Sequence, residues 1–338
     1  MRKYIILITS LTIWSGCDDV SNSSPCADLL DNNRLILCEG SYNNNNASLW
    51  SFEPQTQNSE CIQYQDIGDI AQSMMVQNNN LYMVLNNSHK IEVYNVGSEL
   101  TYQNTLFLEN SSPRYITSYG SLGYVSSWNL EAILVFDLNT LEMTDTIHTP
   151  GIPENLLINE DILYTSIFSK SGWVADTNLV IAVNLINNEI VSEYNVVSGP
   201  RDLKFHDNHL YVSGSITTSW PNNITGISKI NLSTAEVLTQ INEENTNIKN
   251  GLSLLNENLF KTTSQGLVPV LDDLTLDFDN IIIGGENLSF ASVDDSHIYF
   301  TKTDYRAPDT LKVTTHTGEL VNNFIVGIAP KQVLLLND

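Results

Sequence analysis

Basic residues are scarce in this chain: 15 Lys and Arg stand against 39 Asp and Glu, a formal net charge of -24 over 338 residues. That shortage excludes nucleic acid as a partner, because phosphate binding needs clustered Lys and Arg. The acidic excess reads as a well-solvated exterior. Cysteine is also rare, at four, and no C-x-x-C spacing offers zinc or redox chemistry. Helical periodicity is almost missing, which speaks against a helical bundle. After the first few residues, no apolar run is long enough to cross a membrane.

Catalytic signatures are lacking as well. There is no G-x-S-x-G elbow, no H-E-x-x-H and no phosphate-cradling glycine loop. The histidines His89, His148, His206, His209, His297 and His316 are scattered. His206 and His209 share one tight turn and read as exposed polar turn residues. Asp272, Asp273, Asp277 and Asp279 lack the spacing of a calcium loop and read as a strand end and turn. The sequence therefore predicts no catalytic residues, no metal and no cofactor: a binding protein and not an enzyme.

The N-terminus carries more information. Arg2 and Lys3 precede an apolar run from Tyr4 to Trp14, too short for a membrane span and fitting a signal segment. Ser15-Gly16-Cys17 follows and resembles a bacterial lipobox, with Trp14 where such motifs prefer Leu. The expectation is a signal peptide over 1–16, a lipid on Cys17 and a flexible tether over 17–33. The alternative leaves Cys17 an ordinary residue after a conventional signal. An exported chain meets an oxidising compartment, where disulfides form. Cys26 and Cys61 are the suggested pair, tying the tether to the first repeat, and Cys38 inside an apolar strand reads as a buried thiol.

Short alternating strands dominate the rest, separated by Asn, Asp, Gly and Ser turns. An apolar residue followed by an aromatic recurs at Leu81-Tyr82, Leu163-Tyr164, Leu210-Tyr211, Leu259-Phe260 and Ile298-Tyr299, with Gly123-Tyr124 in the same slot. Ten residues upstream of three of these lie Pro113, Pro153 and Pro200. Four strands in each unit of about 40–45 residues is the size of a propeller blade. Units beginning near Ala71, Pro113, Pro153, Pro200, Lys249 and Leu288 make six. The seventh is split: residues 330–336 form a first strand and 34–38 a second, so their pairing would close the ring and bury two sheet edges. The predicted fold is all-β, a seven-bladed β-propeller of four-stranded blades over 34–338.

The Pro-x-x-apolar starts at Pro113, Pro200 and Pro330, the Leu-Tyr-Val anchor and the strand Val135-Phe136-Asp137-Leu138-Asn139-Thr140 resemble the YncE-like or YVTN-type propellers. The resemblance covers about residues 30–338 and implies the fold rather than the ligand. Blades two, six and seven lack the proline.

Propeller geometry places the start of each first strand and each loop between second and third strands on one face. The slot after the proline reads Gln72, Arg114, Glu154, Arg201, Asn250, Ser289 and Lys331. On the same face lie Tyr42, Trp128, Trp173, Trp220, Tyr305 and Arg306, the loops of blades four and five being seven residues longer than those of two and three. Aromatics around a concave mouth with a few cations describe a recognition site. The candidate ligand-binding residues are thus Tyr42, Arg114, Trp128, Glu154, Trp173, Arg201, Trp220, Tyr305, Arg306 and Lys331. Two alternatives stay open: the tryptophans cap blade edges, or the arginines pair with Glu154.

Three functions compete. The first is a lipid-anchored binder of a small or medium ligand in the cell envelope, on the outer-membrane surface or in the periplasm. Lipidated propellers of this kind resemble corrinoid-capturing surface lipoproteins, which implies an outer-membrane transporter as partner. The second is a scaffold for an envelope protein, and the third a lactonase-like hydrolase. A monomer, held to the membrane through its lipid only, is expected.

Overall fold

The computed structural model describes residues 34–55, 61–64, 66–170, 172, 174–219, 222–244, 249–285 and 288–336. Seven four-stranded antiparallel sheets follow one another around a ring. The first strands, which line the bore, are Pro330–Leu335, Ala71–Gln77, Pro113–Tyr119, Ile152–Asn159, Pro200–His206, Leu252–Leu255 and Phe290–Val293 for blades one to seven. Blades six and seven begin later than Lys249 and Leu288, where no proline marks the start. The fourth strand of blade six is only Ile283–Gly284, and the acidic run before it forms a turn and a short 3-10 segment capped by Asp277.

The ring closes as the repeat predicts. Arg34–Cys38 pairs with Pro330–Leu335, with Leu35 opposite Leu334 and Ile36 opposite Val333. Strand alternation then sends Leu35 and Leu37 into the core shared with blade two, and Ile36 and Cys38 into the core shared with blade seven. The same division holds at the anchors: Leu81 faces blade one while Tyr82 faces blade three. Seven apolar clusters of this kind fill the seven boundaries between adjacent blades, so every blade is bound through both faces. Arg34 adds an ion pair to Asp294 of blade seven at 3.0 Å. Cys38 is a free, fully buried thiol whose pKa burial pushes up. Residues 1–33, with Cys17 and Cys26, lie outside the described residues, as does the side chain of Cys61.

One local device repeats and positions the site. The residue before the first strand is left-handed at Ile70, Ser112, Gly199 and Ala329, with φ of 56°, 47°, 61° and 54°. A β-bulge follows in blades one to five. Pro113 pairs with Ser127 and Ile116 with Val125, so Arg114 falls outside the ladder. Gln72, Glu154, Arg201 and Lys331 fall outside theirs in the same way. A bulge bends the strand and re-aims its extra side chain. In blades one to five the slot after the proline is thus a row of bulge residues at one end of the bore.

Candidate functional site

In blades four to six the carbonyl of the slot residue, bulged in blades four and five, is taken up by a serine from the preceding blade. Ser126 Oγ donates to Glu154 O at 2.6 Å, Ser166 Oγ to Arg201 O at 3.0 Å, and Ser213 Oγ to Asn250 O. Each serine lies two residues after the anchor aromatic. Ser73 serves Arg114 O at 2.7 Å from the first strand of blade two. These bonds fix the backbone from which the site's side chains project.

Arg114, Glu154 and Arg201 come together at the mouth between blades three, four and five. Arg114 donates from Nε to Glu154 Oε2 at 3.1 Å and from Nη2 to Oε1 at 2.7 Å. Trp128 Nε1 donates to Glu154 Oε2 at 2.6 Å. Arg201 Nη1 stands 3.7 Å from Glu154 Oε1, an ion pair too long for a hydrogen bond. The aromatics make a column: the Arg114 guanidinium lies 4.1 Å from the Trp128 ring centroid, Trp128 stacks on Phe168 at 5.5 Å, and the Arg201 guanidinium lies 4.0 Å from Phe168. Cation over ring at such distances is attractive, more so where water is excluded.

Charge follows from this packing. Burial pushes the Glu154 carboxyl up, but Arg114, then Arg201 and Lys331, outweigh it and hold the group below the usual carboxylate range. Burial pulls the Arg201 guanidinium down, and Glu154 offsets only part of that while Arg114 adds to it. Across the bore Lys331 stands 3.8 Å from Glu39, which also accepts from Gln72 Nε2 at 3.3 Å.

Deeper in the bore, Asp202 spans three blades. Its carboxylate accepts Asn155 Nδ2 of blade four at 2.9 Å and the backbone N–H of Leu252 of blade six at 2.7 Å. Burial raises its pKa from 3.8 to about 6 against the backbone hydrogen bond from Leu252, the charge of Lys204 and the backbone hydrogen bond from Leu203. Tyr115 beside the array is likewise pushed up, chiefly by burial.

The remaining candidates divide. Tyr42 and Tyr305 are exposed on the rim at blades one and seven, where Ser41 Oγ donates to Tyr305 O at 2.9 Å and joins their loops. Arg306 is exposed beside Tyr305. A hollow of about 360 Å³ opens in the same blade-seven loop, lined in part by Lys302, Thr303, Asp304 and Asp309. A second, of about 550 Å³, lies at the other end of blade five among His209, Lys229, Glu236 and Asp272. Neither includes the arginine array. Trp173 and Trp220 lie outside the described residues. Among the described residues no cluster of His, Cys, Asp or Glu is arranged to hold a metal ion.

Phe168, Asp202 and the serines escaped the sequence reading. Phe168 had a signal: it stands four residues after Tyr164, as Trp128 stands four after Tyr124.

No family model matches the chain, and no curated protein matches it in sequence. Solved structures share the fold. One is a Bacteroides fragilis protein provisionally named a 6-phosphogluconolactonase, 14% identical, with TM-score 0.64 over 90% of this chain and 98% of that one. A Bacteroides uniformis protein of the same provisional name gives 13% and 0.66 over 90% and 99%. A functionally unknown Desulfotomaculum acetoxidans protein gives 13% and 0.63 over 90% and 98%. At such identity the likeness shows the fold alone. It does overturn the expectation of a protein that is not an enzyme. Two proteins sharing this propeller over nearly their whole length carry a hydrolase name. The motifs whose lack suggested a non-enzyme belong to other folds, so their lack excluded nothing on this one.

Proposed function

We propose that the protein is an exported, lipid-anchored propeller of the YncE-like kind that captures a small or medium ligand over the mouth of blades three to five. One observation carries the reading. Arg114, Trp128, Glu154, Phe168 and Arg201, from three blades, converge in a single preorganised column at the end of the bore. Rigid aromatics with a few placed polar groups are the chemistry of small-molecule sites. Tyr42 and Tyr305 on the far side of the ring extend the rim for a bulky ligand. A corrinoid is one ligand of that size, and an outer-membrane transporter would then receive it. The Arg2 to Cys17 segment supports export and anchoring.

The test is purification of the protein from native envelopes with mass spectrometry of what co-elutes. A small molecule that is released, rebinds, and rebinds weakly to Trp128→Ala supports the reading. A stable protein complex without any small molecule overturns it in favour of a scaffold.

A second reading is lactone hydrolysis, favoured by Asp202. A bore-lining carboxyl with a pKa of about 6 is placed where general acid–base work is efficient near neutrality. Its assay is opening of 6-phosphogluconolactone by the purified protein, with Asp202→Asn as the inactive control.

A further inference from the structure

We infer that Arg201 is the anion anchor of this mouth, holding a carboxylate or phosphate group of the ligand on its open guanidinium edge. The inference rests on the mouth being a ligand site. Arg114 and Arg201 occupy the same slot, each one residue after a strand-opening proline. Their surroundings differ. Arg114 is almost fully buried and spends its fork on Glu154. Arg201 makes no side-chain hydrogen bond among the described residues: its two side-chain contacts are the 3.7 Å ion pair to Glu154 and the face of Phe168. A guanidinium carries five N–H donors, and buried donors are almost always paired. The Arg201 side chain keeps 29% of its exposure, and none of its nitrogens is among the buried polar atoms left without a partner, so its unused donors are open to solvent.

Glu154 cannot serve it better. That carboxylate is already held twice by Arg114 and once by the Trp128 N–H. The electrostatics agree with the geometry. Arg201 is desolvated, Glu154 compensates it incompletely, and Arg114 lies beside it as a like charge. Lys331 across the bore acts on Glu154 as well, with Glu39 as its own neighbour at 3.8 Å. In a chain of net charge -24, an approaching anion finds its favourable point here. Phe168 beneath the guanidinium fixes the plane of the fork, so little rotamer freedom is lost on binding. Carboxylate and phosphate both match a planar fork, and experiment separates them.

The purified full-length protein is titrated by calorimetry with inorganic phosphate and, separately, with succinate. At least one ion is expected to bind and raise the melting temperature. Arg201→Gln should lose about tenfold or more in affinity. Arg201→Lys keeps the charge without the fork and should recover part of the phosphate affinity but less for succinate. Lys229→Gln, over Tyr211 on the wall of blade five, should bind as the parent does. Response to one ion alone assigns its class to the ligand. Equal binding by parent and Arg201→Gln, or no binding of either ion, overturns the anchor. A co-purifying ligand that Trp128→Ala loses and Arg201→Gln retains keeps the mouth and removes the anchor. Ion binding lost in Arg201→Gln, with no ligand ever found, keeps the anion site and removes the mouth reading.

Discussion

Trp128 lies flat on Phe168 across the boundary of blades three and four, the rings 5.5 Å apart and 12° from parallel. Each ring carries an arginine, Arg114 over Trp128 and Arg201 over Phe168. The indole is also polar here, because its N–H reaches Glu154. Trp128→Phe keeps the stack and removes that bond. Loss of a hydrogen bond to a buried charge costs about 1.5–3 kcal/mol. Urea unfolding should show a lower midpoint at unchanged slope, the product of shift and slope giving a free-energy loss of that size. A fall within error would mean that water replaces the indole N–H.

Glu154 is the keystone of the charges. Glu154→Gln removes the counter-ion of a nearly buried Arg114 and weakens two hydrogen bonds at once. Breaking a buried pair from one side costs about 3–5 kcal/mol. Arg201→Gln, which leaves the Arg114–Glu154–Trp128 bonds intact, should cost about 1 kcal/mol or less, in the range of a partly exposed ion pair. Chemical denaturation of the two variants side by side reads the contrast. Equal costs would show that Arg201 is as structural as Glu154.

Much of this was legible in the sequence. Period-two strands, the apolar–aromatic anchor and the three aligned prolines gave the blades, and the two orphan strands at the ends gave the closure. The slot after the proline was legible too, because a bulge recurs wherever the turn before it recurs. What differs among blades was not. Arg114 and Arg201 stand at equivalent positions, and only the folded distances, 2.7 Å against 3.7 Å to Glu154 Oε1, decide which of them Glu154 takes. The serines that clip adjacent blades were in register but hidden among many polar residues. The pKa of Asp202 depends on burial that three blades create together, which no single stretch of chain encodes.

Ring closure supports a prediction of its own. Val333 and Leu334 pack against the cores that Ile36 and Leu35 share with blades seven and two. A chain ending before Pro330 loses that packing and leaves Arg34–Cys38 as an open edge. Exposed edges pair with other chains. The shortened protein should melt earlier and elute as oligomers on size exclusion. A monomer with the parent's melting temperature would show that the seam contributes nothing to cohesion.

Asp202 gives the protein an acid-favoured stability window. Its folded-state pKa is about 6 against an ordinary 3.8. Between these values the native state binds the proton that the unfolded state has released, so stability falls as pH rises through the window. The difference corresponds to about 3 kcal/mol at full effect. Burial lowers the pKa of His297, which works in the opposite sense as pH rises towards 6.5. Glu154 and Asp294, both held below the usual range, lose their contribution as pH falls through and below the carboxylate range. The Asp202 component is therefore isolated by subtraction. Unfolding free energies of parent and Asp202→Asn, measured from pH 4 to pH 7, should differ by an amount that changes through the window and levels off above it. Parallel curves would mean that Asp202 ionises in the folded protein as it does in the open chain, and the acid–base reading of the bore would go with it.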